Sequence, residues 1–301
     1  MKKLRPLKLT FLLLFLSSTI AFAQELYADF SYFPKIEFND KIVGSKTDDK
    51  GATFEKIVID GFDSKIPFYF ISPKDRKEVK FVILLHGITS NKESWLPPSN
   101  NTEKNIYLLD LLLAEGYSVI IPDAKYHGER SYEGNFTSPI YFFPSQDCQK
   151  VYNMFATTVK DIRILMDYFQ SRFADTSITF DVVGYSMGGM LSIYLNSADN
   201  RLHRVVACVT PLDAQKGSKI MGMTDENAKK MKNLSVKNYA TVQKSPITLL
   251  MGTKDLHYST AEVEDFFEKI AITDKALKFY ESGHALPHDY IFDAIKSLNK
   301  E

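Results

Sequence analysis

Ile178-Thr179-Phe180-Asp181-Val182-Val183-Gly184-Tyr185-Ser186-Met187-Gly188-Gly189 is the stretch that decides the fold. Its first six residues read as a buried strand, which runs without a break into a G-x-S-x-G turn and then an apolar helix. Glycines on both sides of the serine let the chain reverse sharply. Such a turn holds a hydroxyl above the edge of a sheet, beside a helix N-terminus whose dipole favours developing negative charge. Ser186 is the expected nucleophile.

Outward from this turn the chain alternates short β-rich runs with longer helical ones. Residues 53–59 and 66–71 read as a hairpin, and Val79 to Leu85 as a buried parallel strand. A helix over Ile106 to Glu115 stops at Gly116, and the strand Tyr117 to Ile121 follows. Val159, Ile162, Leu165, Met166 and Phe169 recur at helical spacing within Val151 to Phe173. Strands over 204–209, 247–251 and 276–280 follow, and a last helix begins at Tyr290. The alternation predicts an α/β fold with a mostly parallel central sheet and helices on both faces. No linker or repeat divides residues 24–301, which are expected to form a single domain. Three connections exceed ordinary loop lengths: 88–104, 123–148 and 211–245, the last read as one helix plus a short flap between strands six and seven.

A serine hydroxyl needs a base within hydrogen-bond reach. His284, in Glu281-Ser282-Gly283-His284, follows the last predicted strand and so reaches the sheet edge that carries Ser186. His86 sits beside a turn suited to oxyanion donors, where an orienting role fits it better. His288 falls to the closing helix and His203 to a charged surface stretch. His127 and His257 read as pocket walls or structural residues. The acid that orients the imidazole is expected at Asp255, just past strand 247–251. Asp213 is its rival after the preceding strand, and Asp123 precedes Ser186 in the chain. The order Ser, acid, His favours Asp255. Leu84-Leu85-His86-Gly87-Ile88 supplies the other requirement, with the backbone N–H groups of Ile88 and Met187 as the oxyanion donors.

The chain has 301 residues, 45% of them apolar, which allows a large core and excludes a disordered or collagen-like protein. Lys and Arg number 37 against 37 Asp and Glu, with no basic run beyond the first eight residues, so a nucleic-acid partner is not expected. Lys2, Lys3, Arg5 and Lys8 precede an apolar run, Leu9 to Phe22, that ends in Ala21-Phe22-Ala23. This pattern predicts a secretory signal over residues 1–23, cleaved after Ala23, with the apolar run too short for a membrane anchor. No Cys follows the cleavage site, so a lipid anchor is set aside. Cleavage removes four basic and no acidic residues and leaves a net charge of −4. Cys148 and Cys208 do not make a disulfide framework, and neither has the paired spacing of a zinc site.

Taken together, His86-Gly87, Pro122-Asp123 with His127-Gly128, the turn around Ser186, Gly252 to Asp255, and Gly283-His284 resemble the α/β-hydrolases. The stretch from His86 to Trp95 and Asp123-Ala124-Lys125-Tyr126-His127-Gly128-Glu129-Arg130 are most similar to the dienelactone hydrolase and prolyl-oligopeptidase-like esterase branch. Position 186 holds Ser where dienelactone hydrolases carry Cys, so their particular substrate is not carried over. The resemblance implies an α/β-hydrolase fold and a Ser186–His284–Asp255 triad. The expected function is an exported carboxylesterase, periplasmic or secreted, acting on small or medium acyl esters with no cofactor and no metal. A peptidase on short peptides and a non-catalytic binding module are the alternatives. Trp95, Tyr126, His127, Tyr185, Met221, Met223 and His257 are expected to line the substrate site, where aromatic rings and flexible methionines suit an apolar acyl group.

Overall fold

A computed structural model of the chain describes residues 28–74, 80–97, 106–174 and 176–300. The signal segment 1–23 and its cleavage point lie outside the described residues, as do residues 98–104 of the first long connection.

Nine strands form one sheet: β1 Lys41–Thr47, β2 Thr53–Asp60, β3 Lys65–Ser72, β4 Lys80–Leu85, β5 Ser118–Pro122, β6 Thr179–Tyr185, β7 Leu202–Cys208, β8 Ile247–Gly252 and β9 Lys275–Tyr280. Their order is β1-β2-β3-β5-β4-β6-β7-β8-β9. The first three form an antiparallel meander, and β3 also runs antiparallel to β5, with Phe68 opposite Pro122. From β5 to β9 every pairing is parallel. All the parallel strands therefore end at one edge.

Alternation along the central strands explains the two-sided core. Phe81, Ile83 and Leu85 of β4 join one apolar cluster, and Val82 and Leu84 join the other. Helix α1 (Leu108–Ala114) and helix α7 (Tyr290–Leu298) cover the second face. Helix α2 (Cys148–Arg172) covers the first through the predicted stripe of Val159, Ile162, Leu165, Met166 and Phe169. Helix α3 (Met187–Ala198) and helix α6 (Thr260–Lys269) pack there too. The connection from β7 to β8 holds helices α4 (Ala214–Ile220) and α5 (Asp225–Lys230), then 3₁₀ turns over Met231–Leu234 and Val236–Val242. That is one helix more than the sequence reading expects, because each is under eight residues and carries little apolar periodicity. His288 lies just before α7 rather than inside it.

Among the described residues, no helix is long and apolar enough to cross a membrane. Both cysteines are free thiols, Cys208 buried at the end of β7 and Cys148 partly exposed at the start of α2.

Candidate active site

The turn after β6 is built by close backbone approach. A Cβ at Gly188 would stand 2.0 Å from the carbonyl oxygen of Leu85, and one at Gly184 would stand 2.0 Å from that of Gly188. No side chain fits either position. Ser186 between them has φ 57° and ψ −112°, a conformation that costs a non-glycine residue ~1–3 kcal/mol and persists only where its surroundings enforce it. Its N–H donates to the carbonyl of Cys208, and its carbonyl accepts the first helical bond from Met190.

At this edge the loops after β8 and β9 bring two more side chains to Ser186. His284 Nε2 lies 2.7 Å from Ser186 Oγ, and His284 Nδ1 lies 2.7 Å from Asp255 Oδ2. The carboxylate side chain is fully shielded, while the imidazole remains about one-third exposed toward the cavity. Burial alone would raise the Asp255 carboxyl. The His284 ring, the His257 N–H and the Tyr258 hydroxyl outweigh it and hold Asp255 below its ordinary value, as an anion. Asp213, the rival acid, instead caps α4 by accepting the Lys216 N–H and pairs with Lys237.

The loops that carry Asp255 and His284 are laced together. Thr253 N–H donates to Tyr280 and Lys254 N–H to Ser282, and a Cβ at Gly252 would stand 2.2 Å from the carbonyl of Gly283. Tyr185 adds a clamp with no signal in the sequence. Its hydroxyl donates to the His284 carbonyl at 3.0 Å and accepts the Leu286 N–H at 2.9 Å.

The loop after β4 carries the expected oxyanion donors. Neither the Ile88 nor the Met187 N–H has a partner among the described residues, and both residues line the cavity over Ser186. The peptide presenting the Ile88 N–H is held by its own carbonyl, that of Gly87. This oxygen faces His86 Nδ1 at 2.8 Å and accepts the Ser90 N–H at 3.1 Å. On the other side of the ring, His86 Nε2 accepts the Ala124 N–H at 3.1 Å. A backbone N–H can only donate, so Nε2 carries the lone pair and Nδ1 the proton. Burial, with His127 close by, pushes His86 down to about 3 and keeps it in that neutral form.

Behind this loop stands a buried ionic frame that sequence periodicity could not reveal. Lys92, 1% exposed, pairs with Asp123 at 2.7 Å and Glu129 at 2.5 Å. Asp123 also accepts the N–H groups of Lys92 and Glu129. Arg130 is wholly buried against Asp161 and Glu133, and Lys125 pairs with Glu133 and Asp63. The Lys92 contacts tie residues 123–134 to the loop after β4, and the Arg130 and Lys125 pairs tie them to α2 and the β2–β3 turn.

The cavity above Ser186 has a volume of about 610 Å³. Four of the side chains expected to line it do so: Trp95, Tyr185, Met221 and His257. Tyr126, His127 and Met223 do not. Tyr126 is buried with its ring edge-on to Phe142, 5.2 Å between centroids. His127 is buried with its ring between the carbonyls of Lys125 and Ile88, each at 2.9 Å, and so braces the loop from behind. Met223 is buried within the flap, between α4 and α5. Of the other aromatic residues in the 123–148 connection, Phe143 lines the cavity, whereas Tyr132, Phe136 and Tyr141 are exposed.

Among the described residues, Asp255, His257 and His284 form the one group that could hold a metal ion, with ligand atoms within 4.8 Å of one another. Asp255 Oδ2 and His284 Nδ1 are already bonded to each other, so a cation would have to displace the Nδ1 proton. His257 is driven below its ordinary value by burial and then by His284, and is neutral.

The sequence pattern of the dienelactone hydrolase family matches residues 66–291. "Putative esterase YitV" of Bacillus subtilis (strain 168) is 26% identical over 132 residues, 43% of this chain, and the match spans 45% of that protein's length. Among solved structures, acetyl xylan esterase 1 from Thermoanaerobacterium sp. JW/SL YS485 superposes with a TM-score of 0.66 at 18% identity, over 87% of this chain and 88% of that one. An acetyl xylan esterase from Paenibacillus sp. R4 gives 0.63 at 16%, over 94% and 92%. At these identities the likeness is one of fold.

Proposed function

Because the chain belongs to the dienelactone hydrolase family and has the α/β-hydrolase fold, we propose that it is a hydrolase of esterase character, an exported serine carboxylesterase working through Ser186, His284 and Asp255. One observation carries the reading: the unbroken chain of contacts from Ser186 Oγ to His284 to Asp255, 2.7 Å at each step, on the floor of the cavity.

Ser186 Oγ attacks the ester carbonyl carbon while His284 Nε2 takes its proton. Asp255 accepts the Nδ1–H, which fixes the tautomer and stabilises the imidazolium. The carbonyl oxygen gathers negative charge facing the Ile88 and Met187 N–H groups, where a misplaced donor costs ~3 kcal/mol of transition-state stabilisation. Collapse of the tetrahedral intermediate expels the alcohol, protonated by His284. Water, deprotonated by the same ring, then attacks the acyl-enzyme. A second collapse frees the acid and restores the serine.

The test is fluorophosphonate labelling of wild type and Ser186→Ala beside ester turnover. Labelling confined to wild type and a loss of kcat by ~10⁴-fold or more support the assignment. A folded Ser186→Ala protein within about tenfold of wild type refutes it. Export rests on the signal-like residues 1–23. Mass spectrometry of protein from an exporting host should find Gln24 as the first residue, and an intact Met1 on membrane-bound protein contradicts this part of the proposal.

A further inference from the structure

Resting on the esterase reading of Ser186, we infer that the substrates are uncharged esters whose acyl group is an aliphatic chain of medium length, seated in a closed apolar lobe between α2, α3 and the flap. The cavity has two unlike ends. At its mouth Ser94 and Ile220 are exposed. At the other end Phe143, Val151, Phe155, Met190, Met231 and Leu234 line it although each is buried. Side chains that line a cavity yet are sealed from solvent mark a blind lobe. All six belong to the apolar cluster on the α2 and α3 face of the sheet.

Charge is absent from the lining. Among the described residues, no Asp, Glu, Lys or Arg contributes to the cavity wall. The nearest carboxylate, Asp255, is shielded and committed to His284 and the His257 N–H. Lys216, at the flap, pairs with Glu262. A carboxylate or ammonium on the acyl chain would lose its water and meet no partner.

Reaction chemistry sets the direction of the acyl group. The alcohol oxygen must lie beside His284, which protonates it, and His257, 4.8 Å from that ring between centroids, lines the cavity there. The carbonyl oxygen faces Ile88 and Met187. The remaining direction from the carbonyl carbon runs past Met190, one helical turn along α3 from Ser186, into the blind lobe. Its walls give an alkyl chain apolar contact along its length and give a sugar or peptide no hydrogen-bonding side chain.

The experiment is a series of p-nitrophenyl esters from acetate to dodecanoate, with the half-ester of adipic acid as the charged match to hexanoate. Expected is a kcat/KM that rises about fourfold per methylene until the lobe is full and then falls. The adipate half-ester should lie about a hundredfold or more below hexanoate. Leu234→Ala should move the optimum to longer chains and Leu234→Phe to shorter ones. A profile that peaks at acetate, a half-ester within about threefold of hexanoate, or an optimum that neither variant moves overturns the inference. Fluorophosphonate labelling of Ser186 in the same samples separates the two levels. Labelled protein that turns over no ester refutes the esterase reading itself, whereas turnover with the wrong length or charge preference refutes only the lobe assignment.

Discussion

Replacing His86 with Leu removes both ring hydrogen bonds while keeping buried bulk, and its effects follow from where those bonds go. The Gly87–Ile88 peptide loses the donor on its carbonyl and is left with the Ser90 N–H alone. Complete loss of one oxyanion donor costs ~10²–10³ in kcat. With one of two tethers kept, the expected loss is about 10–10², in kcat rather than KM, because the ground-state carbonyl is held less by these donors than the oxyanion. Stability should change too. The Ala124 N–H, left buried without an acceptor, costs ~1–3 kcal/mol at neutral pH. That penalty should shrink on acidification. Native His86 stays neutral down to about 3, whereas in the unfolded chain it takes up a proton near 6.5. Its contribution is therefore fully present above 6.5 and is lost as pH falls toward about 3. By pH ~4 this amounts to ~3 kcal/mol, which Leu never loses. Urea unfolding of both proteins between neutral and mildly acidic pH should find the variant less stable at the first and equal or more stable at the second. Kinetics on one nitrophenyl ester complete the test. A folded variant with kcat within about twofold of wild type, or a stability gap that does not narrow with acid, refutes the reasoning.

Asp255→Asn should leave the fold intact yet lower kcat by roughly 10⁴, because an amide favours the wrong imidazole tautomer. Asp213→Asn should cost little in kcat, and parallel kinetics with circular dichroism would expose a reversal of the two roles. Lys92→Met strands the buried Asp123 carboxylate, which keeps two backbone N–H bonds. The expected destabilisation is ~3 kcal/mol, at the low end for a broken buried pair. A change below ~1 kcal/mol in urea unfolding would mean that the Lys92 and Glu129 backbone N–H groups hold the Asp123 carboxylate without the ammonium.

Much of this architecture is legible in the chain because its signals are local. The continuous apolar run of β4 reads as a strand buried on both faces, and the helical stripe of α2 places itself. The glycines around Ser186 mark a turn that few sequences could make for another reason. Strand β1 is illegible for the opposite reason. Every residue of Lys41–Thr47 is exposed, so no apolar alternation betrays it, and only the ladder to β2 holds it. The roles of Tyr126 and His127 were hidden differently. A motif places them near the site but does not say which way a ring turns, and here both turn inward, Tyr126 onto Phe142 and His127 to brace the loop. Lys92, Lys125 and Arg130 would pass for surface charges in any composition profile. Their burial becomes visible only once their partners, up to 62 residues away in the sequence, are brought beside them.

The lacing of the β8 and β9 loops divides the site along an energetic seam. Ser186 and the proposed oxyanion donors follow central strands, which have neighbours on both sides. His284 follows the edge strand β9, which has one neighbour and is only partly covered, and its loop is laced to that of Asp255, which follows the buried strand β8. Segments with few covered contacts open with less free energy than the whole molecule. The edge that carries His284 can therefore fray once the Tyr185 clamp releases, while Ser186 stays folded in place. Thermal loss of activity would then be the undocking of a hinged edge well before the core melts, and it would reverse on cooling.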